Sequence, residues 1–146
     1  MAIRLATAAD LPTLYEIGLK TPEIQVSSTE PFMDKDEFLD SINRREMFFL
    51  VMEEAGQIQA FLMASTRDED IGYKNHYACI PYIVVLEQFR GKGLAKLLYQ
   101  EAEKILRQRG MTHLYCWANL NSGIIPFMEK QGFKTGHQYV WMDKKL

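Results

Sequence analysis

Apolar residues recur along the chain with two spacings, and these predict the order of strands and helices. Runs in which apolar residues alternate or follow one another predict strands at residues 3–5, within 47–65, and at 76–86, 112–118 and 133–142. Apolar residues three and four apart predict helices within residues 7–20 and 34–45, from 94 to 109, and at 126–131. The predicted order is β-α-α-β-β-β-α-β-α-β-β.

Short local signals set the predicted boundaries of these elements. Asp34 with Glu37 three residues later has the spacing of a capping box, and Thr7 or Asp10 caps the first helix. Residues 54–57 predict a hairpin turn, and Pro81 predicts a β-bulge inside its strand. Residues 21–33 and 68–75 are polar and predict connections, Gly110 ends the long helix, and Pro126 is expected at the first position of the last helix.

Hydrophobic and charged content narrows the possible classes of protein. The 146 residues suffice for one domain, 47% of them are hydrophobic and 25% are charged. A net charge of −2 argues against nucleic-acid binding as the main function. We expect no membrane contact, because no apolar run approaches the ~20 residues of a membrane span.

The two cysteines predict a reducing compartment. Cys79 and Cys116 lie in apolar runs, without a CxxC pair or a histidine at the spacing of metal ligands. We therefore expect two reduced core residues, no metal site and a cytoplasmic protein, while a disulfide between them remains an alternative.

The segment from Arg90 to Lys96 carries the strongest chemical signal. Gly91 and Gly93 bracket a lysine immediately before the long amphipathic helix. A helix N-terminus offers unpaired N–H groups and a partial positive charge, and glycine lets an anion approach the backbone. The segment lacks the Lys-Ser/Thr of a P-loop and the third glycine of a dinucleotide-binding fingerprint. It predicts a phosphate site of another kind, although a surface turn before a helix remains the alternative.

The residues Arg90-Gly91-Lys92-Gly93-Leu94-Ala95 form the pattern R-x-x-G-x-A, which resembles the coenzyme A pyrophosphate loop of the GNAT superfamily of acyl-CoA-dependent N-acyltransferases. The N-terminal "IRLATAADLPTLYEI" is similar to the family's opening strand and helix, and "NSGIIPFMEKQGFK" to its closing signature. The resemblance covers nearly the whole chain. It implies one α+β domain over residues 1–146, with a mixed, mostly antiparallel sheet of about seven strands flanked by four helices and splayed at the coenzyme A site.

The resemblance also implies how acetyl-CoA would bind as cosubstrate. The pantetheine arm would lie along the splayed strand, on the backbone of Val84 and Val85, while an asparagine before the closing helix would bond the pantetheine amide. Asn121 is favoured over Asn119 by spacing, and helix capping is an equal alternative for both. The pyrophosphate would lie on the loop residues: Arg90, Gly91, Lys92, Gly93, Leu94, Ala95 and Lys96.

One departure affects the expected catalytic groups. Where the family often has Phe-Tyr, with the tyrosine as general acid, this chain has Phe127-Met128, and methionine cannot donate a proton. Tyr82 and Cys116 are the candidate replacements, although packing is the alternative role for both. Protonation of the leaving thiolate by water is a third possibility.

Two functions of different classes follow. The first is an N-acetyltransferase acting by direct attack of a primary amine, of a small molecule or a peptide, on the thioester. Glu23, Glu30 and Asp34 would then attract a cationic acceptor, unless they only form a solvated loop and a helix cap. The second is a non-catalytic coenzyme A-binding sensor or partner module. Dimers are common in the family, so a homodimer is one expectation of the resemblance alone.

Overall fold

The computed structural model describes residues 1–27, 31–66 and 74–146. Its strands are β1 (Ala2–Leu5), β2 (Met47–Glu54), β3 (Gln57–Ser65), β4 (Tyr77–Val85) and β5 (His113–Tyr115). Its α-helices are α1 (Leu11–Leu19), α2 (Lys35–Asp40), α3 (Leu94–Gln108) and α4 (Ile124–Lys130). Short 3-10 turns lie at Pro22–Ile24, Ser41–Asn43 and Glu87–Phe89.

The strands form one mixed sheet in the order β1-β2-β3-β4-β5. The pairs from β1 to β4 are antiparallel, and β4 pairs in parallel with β5. Ala55 and Gly56 close the β2–β3 hairpin with φ values of 50° and 77°, which suit the tight turn between two twisted strands. The predicted mixed fold, its four helices and this hairpin are therefore confirmed.

Strand β4 contains the irregularity predicted at Pro81. Met63 pairs with Tyr82 and Ser65 pairs with Cys79, so β4 uses three steps where β3 uses two. The extra residue shifts the alternation of side chains between the two faces of the sheet by one position along β4. Ala78 and Ile80 lie on the same side as Ile83 and Val85, whereas Tyr82 and Val84 lie on the opposite side.

Both faces of the sheet are covered by helices. On one face, side chains of β2, β3 and β4 pack against α3 and α4, as Leu50, Leu62 and Leu98 do. On the other face, Phe49, Val51 and Phe61 pack against α1 and α2. This arrangement explains why β2 and β3 have continuous apolar runs, because each strand is buried on both sides.

Helix boundaries follow local signals except at Asp10 and Pro126. Asp10 is the N-cap residue of α1, but its carboxylate accepts from Arg4 and from the N–H of Thr7, so neither predicted side chain caps this helix. The Asp34 side chain accepts a hydrogen bond from the N–H of Glu37 at 3.1 Å, as the capping signal predicted. Gly110 follows α3 with a φ of 82°. Pro126 is the third residue of α4 and not the first, because the helix begins two residues earlier, at Ile124.

The prediction of about seven strands was wrong, since the described residues form five. Residues 133–142, predicted as a closing hairpin or strand pair, form no strand. Phe133 packs against Tyr99, but Val140 and Met142 are 86% and 88% exposed. A strand needs a partner as well as β-forming residues, and the adjacent edge strand β5 is only three residues long.

Two further features bear on the predictions made above. The predicted turn at 68–75 lies mostly outside the described residues. Within the part of the chain that the structure describes, no helix is both long enough and apolar enough to cross a membrane.

Candidate functional site

The sheet opens between β4 and β5. The two strands pair only from Tyr77 to Cys79 on β4, opposite His113 to Tyr115 on β5. Beyond Cys79, the strand β4 continues to Val85 while β5 has ended. Among the described residues, the second half of β4 therefore pairs with β3 alone and leaves a gap on its other side.

The backbone groups that face this gap follow from the alternation of a strand. The N–H of Leu86 donates to the carbonyl of Gln59 on β3 at 3.0 Å, so Leu86 and, by alternation, Val84 direct their backbone groups toward β3. Val85 and Ile83 direct theirs into the gap. The expectation that the Val84 backbone would bond the pantetheine arm was therefore wrong, because adjacent residues of a strand direct their backbone groups to opposite sides. The carbonyl of Val85 indeed accepts a hydrogen bond from Arg90 Nε at 3.1 Å.

The glycine loop lies at the end of β4, where α3 begins. Gly91 and Gly93 have φ values of 78° and 80°, in the left-handed region that favours glycine. Gly93 is the N-cap residue of α3, and no side chain caps this helix. The first N–H groups of α3 consequently lack a side-chain acceptor from the cap, which suits an anion.

The loop and the first turn of α3 carry three exposed cationic side chains: Arg90, Lys92 and Lys96. Lys92 Nζ lies 5.3 Å from the centroid of the Phe89 ring, which keeps it beside the loop. Lys96 lies in the first turn of α3. Leu94, by contrast, is buried in the core and fixes the start of the helix, and Ala95 is half-buried.

The turn Pro22–Ile24 crosses the mouth of the gap. Glu23 Oε1 forms an ion pair with Arg90 Nη1 at 3.0 Å, and the carbonyl of Glu23 accepts from Asn119 Nδ2 at 3.1 Å. Arg90 follows β4 and Asn119 follows β5, so Glu23 links the two sides. The pKa of Glu23 lies below its ordinary value, chiefly because of its own backbone N–H and then because of Arg90.

Tyr82 lies on the face of the sheet that packs against α1 and α2. Its hydroxyl donates to the carbonyl of Phe32 at 2.8 Å. The Phe32 ring packs against α1 at Gly18, where a Cβ atom would come within 2.4 Å of it. Burial raises the pKa of Tyr82 to about 12, so the phenol keeps its proton at neutral pH.

Cys116 and Met128 belong to the opposite face. The half-buried thiol of Cys116 packs against the cluster around α3, and burial raises its pKa. Met128, for which the resemblance implied a tyrosine, is 4% exposed in the same cluster. Met128 is therefore a core residue in this chain.

Asn119 and Asn121 both lie in the connection between β5 and α4, and both are exposed. Asn119 is engaged twice, since its Nδ2 donates to Glu23 and its Oδ1 accepts from the backbone N–H of Asn121 at 2.9 Å. Neither side chain is the N-cap of α4, a position occupied by Gly123.

The three acidic residues expected at the acceptor site are placed differently. Glu23 lies at the mouth of the gap, and Asp34 caps α2. Glu30 lies outside the described residues. Sequence reasoning did not find the link between Glu23 and Arg90, 67 residues apart, or the exposure of the Ile83 backbone to the gap. Among the described residues, no group of three metal-ligand side chains forms a candidate metal site.

Comparison with known proteins agrees with this geometry. Residues 11–133 match the family model described as "Acetyltransferase (GNAT) family". The chain is 32% identical over 97 residues to an uncharacterized N-acetyltransferase of Chlorobaculum tepidum, a match that covers 59% of this chain and 60% of that one. The chain thus spans about three fifths of that relative's length.

Solved structures share the fold at low sequence identity. A variant of the BH1408 protein from Bacillus halodurans superposes with a TM-score of 0.78 at 20% identity, covering 100% of this chain and 99% of that one. An aminoglycoside N-acetyltransferase in complex with coenzyme A superposes with a TM-score of 0.72 at 16% identity, covering 99% and 100%. With the family model matching residues 11–133, this chain belongs to the GNAT acetyltransferase family.

Proposed function

We propose that this chain transfers an acetyl group from acetyl-CoA to a primary amine of a small molecule or peptide. One observation carries the proposal. The N-terminus of α3, without a side-chain cap and preceded by two glycines of positive φ, lies at the end of a gap beside β4. That arrangement supplies a phosphate site and a place for an extended arm next to each other.

The residues present fit coenzyme A. Its pyrophosphate would lie on the backbone N–H groups between Arg90 and Ala95, with Lys92 and Lys96 adding positive charge. Its pantetheine arm would add to the free side of β4 as an extra strand, using the backbone groups of Val85 and Ile83 that face the gap. Val84 would contribute its buried side chain, which fixes the strand. Asn121, with Asn119 as the alternative, would hold the pantetheine amide.

The reaction requires an acceptor amine without its proton and a proton for the departing thiolate. The neutral amine nitrogen attacks the thioester carbonyl and gives up one proton to water as the amide bond forms. The carbon–sulfur bond breaks, and the sulfur takes a proton from the donor, which water then reprotonates. A backbone N–H in the gap, from Val85 or Ile83, would stabilise the negative charge that develops on the carbonyl oxygen. We assign the donation of the proton to Tyr82 because it lies on the strand that lines the gap, and the hydroxyl would have to leave the Phe32 carbonyl to which it donates. The pKa of about 12 keeps the phenol protonated but makes it a weak acid.

Cys116 is the second candidate for proton transfer, from the β5 side of the gap. Its raised pKa favours the thiol over the thiolate, so it would serve as a donor more readily than as a base. Its packing against the α3 cluster favours a structural role.

The acceptor would enter between the gap and the segment that joins α1 to α2. Tyr82 and the Pro22–Ile24 turn border this side, and Glu23 contributes a carboxylate. A neighbour of the same fold acts on aminoglycosides, which supports a small cationic amine as the acceptor class. The cytoplasmic location and the homodimer stay predictions.

The first experiment is a calorimetric titration of the protein with acetyl-CoA and with coenzyme A. We expect micromolar binding of both, since the KM values of enzymes commonly lie between about 1 μM and 1 mM, near working substrate concentrations. A panel of primary amines is then assayed for thiol release. Binding without acyl transfer to any amine would instead support the coenzyme A-binding module. Absence of binding would overturn the cosubstrate site itself.

A further inference from the structure

Arg90 is held across the mouth of the gap by two contacts. Its Nε donates to the carbonyl of Val85, on the side of β4 that faces the gap. Its Nη1 pairs with Glu23 Oε1 at 3.0 Å. The guanidinium group therefore lies between the glycine loop and the strand along which the pantetheine arm would lie.

The Glu23 carboxylate has an unusual environment. Its Oε2 atom is buried, and no described group forms a hydrogen bond with it. The Glu23 side chain is 35% exposed, and its own backbone N–H stabilises the carboxylate most, but Arg90 is the cation paired with it. Glu23 is thus stabilised in part by Arg90, while Arg90 begins the R-x-x-G-x-A loop proposed for the pyrophosphate.

The pyrophosphate and Glu23 are both anions, and both require the same arginine. Arginine binds phosphate oxygens in a fork of two hydrogen bonds, which a single oxygen of Glu23 does not provide in this structure. A pantetheine arm that donates to the Val85 carbonyl would also compete with Arg90 Nε for this acceptor. Both halves of the cosubstrate therefore compete with the contacts that hold Arg90.

We propose that Glu23 is a positioning residue that holds Arg90 across the gap until the pyrophosphate of coenzyme A binds the arginine in its place. Loss of the ion pair then releases the Pro22–Ile24 turn. This inference rests on the proposed function. Since the Pro22–Ile24 turn belongs to the segment that borders the acceptor side, cosubstrate binding would rearrange that side before the acceptor enters.

The test is a calorimetric titration of the full chain with coenzyme A, comparing wild type with Glu23→Gln. Glutamine keeps the size of the side chain and removes the charge. We expect Glu23→Gln to bind coenzyme A about threefold to fivefold more tightly, the range set by a partly exposed ion pair. A residue that merely supported the loop would give weaker binding when replaced.

Glu87→Gln is the matched control, because Glu87 is an exposed carboxylate in the connection between β4 and α3 that also contains Arg90. It removes the same charge from this region, and we expect a change of less than about twofold at moderate salt. Equal tightening by both variants would reduce the effect to net charge and overturn the inference. Unchanged or weaker binding by folded Glu23→Gln would overturn it as well.

A second pair of variants isolates the contact. In an Arg90→Gln background, Glu23→Gln should change the affinity by less than about twofold, since the arginine for which the two anions compete is gone. Hydrogen exchange gives an independent readout. Amides between Thr21 and Ser27 should exchange faster when coenzyme A is bound and, in Glu23→Gln, already without it. Failure of wild type to bind coenzyme A would overturn the proposed function together with this inference.

Discussion

Strands β4 and β5 line the same gap but are held in very different ways. Strand β4 has nine residues, pairs with β3 along its length and packs side chains into the clusters on both faces of the sheet. Strand β5 has three residues, and the chain that follows it is exposed from Trp117 to Asn121. The β4 side is therefore a fixed wall, whereas the β5 side depends on a few single contacts such as Asn119 with Glu23.

This difference indicates where the chemistry should depend most strongly on sequence. Backbone groups on a rigid strand and helix terminus can bind an anion and an extended arm with little reorganisation. We therefore expect large effects from changes on the β4 side and small effects from changes on the β5 side.

The largest effect is expected for Gly93→Val. Valine is strained at a φ of 80°, so the loop must rotate its N–H groups away from the phosphate position. Coenzyme A affinity, measured by calorimetry, should fall about a hundredfold.

Gly110→Val is the matched control at the other end of α3. Gly110 has a φ of 82°, and at both glycines an added Cβ would meet no atom within 4 Å. Both variants should lose similar stability in thermal unfolding, and only Gly93→Val should lose affinity. If folded Gly93→Val bound coenzyme A with wild-type affinity, the glycine loop would not be the pyrophosphate site.

Elements whose signals are local could be predicted from the sequence. The capping residue Asp34, the hairpin turn at Gly56, the bulge at Pro81 and the start of α3 at Leu94 each depend on a few adjacent residues. The R-x-x-G-x-A loop belongs to this group, since a turn and a helix terminus are formed by consecutive residues.

Features that depend on distant partners could not be predicted. The strands expected after Phe133 had the right residue types, but their formation requires a long neighbouring edge that β5 does not provide. The pairing of Glu23 with Arg90 joins residues 67 positions apart, and no periodicity reports such a contact. The sequence likewise did not distinguish Val85, whose backbone faces the gap, from Val84, whose backbone faces β3, because this depends on the register with β3.

Tyr82→Phe should give the next largest effect. If Tyr82 donates the proton to the thiolate, its loss should lower kcat about tenfold, less than the roughly hundredfold typical of general acid catalysis because water can also protonate the thiolate, with coenzyme A affinity unchanged. Because burial raises the pKa of Tyr82 to about 12, the wild-type activity should not fall through ionisation of this phenol at any pH well below that value.

Tyr15→Phe separates chemistry from structure. Tyr15 donates to the carbonyl of Met33 at 3.1 Å, next to the Phe32 carbonyl that Tyr82 uses, and both tyrosines pack in the same cluster. Each substitution should cost about 0.5 to 1.5 kcal/mol of unfolding free energy. Equal kcat values in the two variants would leave Tyr82 with a structural role alone.

The smallest effect is expected on the β5 side, for Cys116→Ala. The thiol packs against the α3 cluster, and burial keeps it protonated by raising its pKa, so it is a poor base. Turnover should stay within about twofold of wild type, while the unfolding free energy falls by about 1 kcal/mol for the lost packing.

Cys79→Ala, at a buried thiol on β4, is the control for packing loss without proximity to the open gap. A tenfold fall in kcat for Cys116→Ala alone, with coenzyme A affinity retained, would place proton transfer on the β5 side. Binding of coenzyme A would then depend on β4 and proton transfer on β5, whereas we expect both to depend on β4.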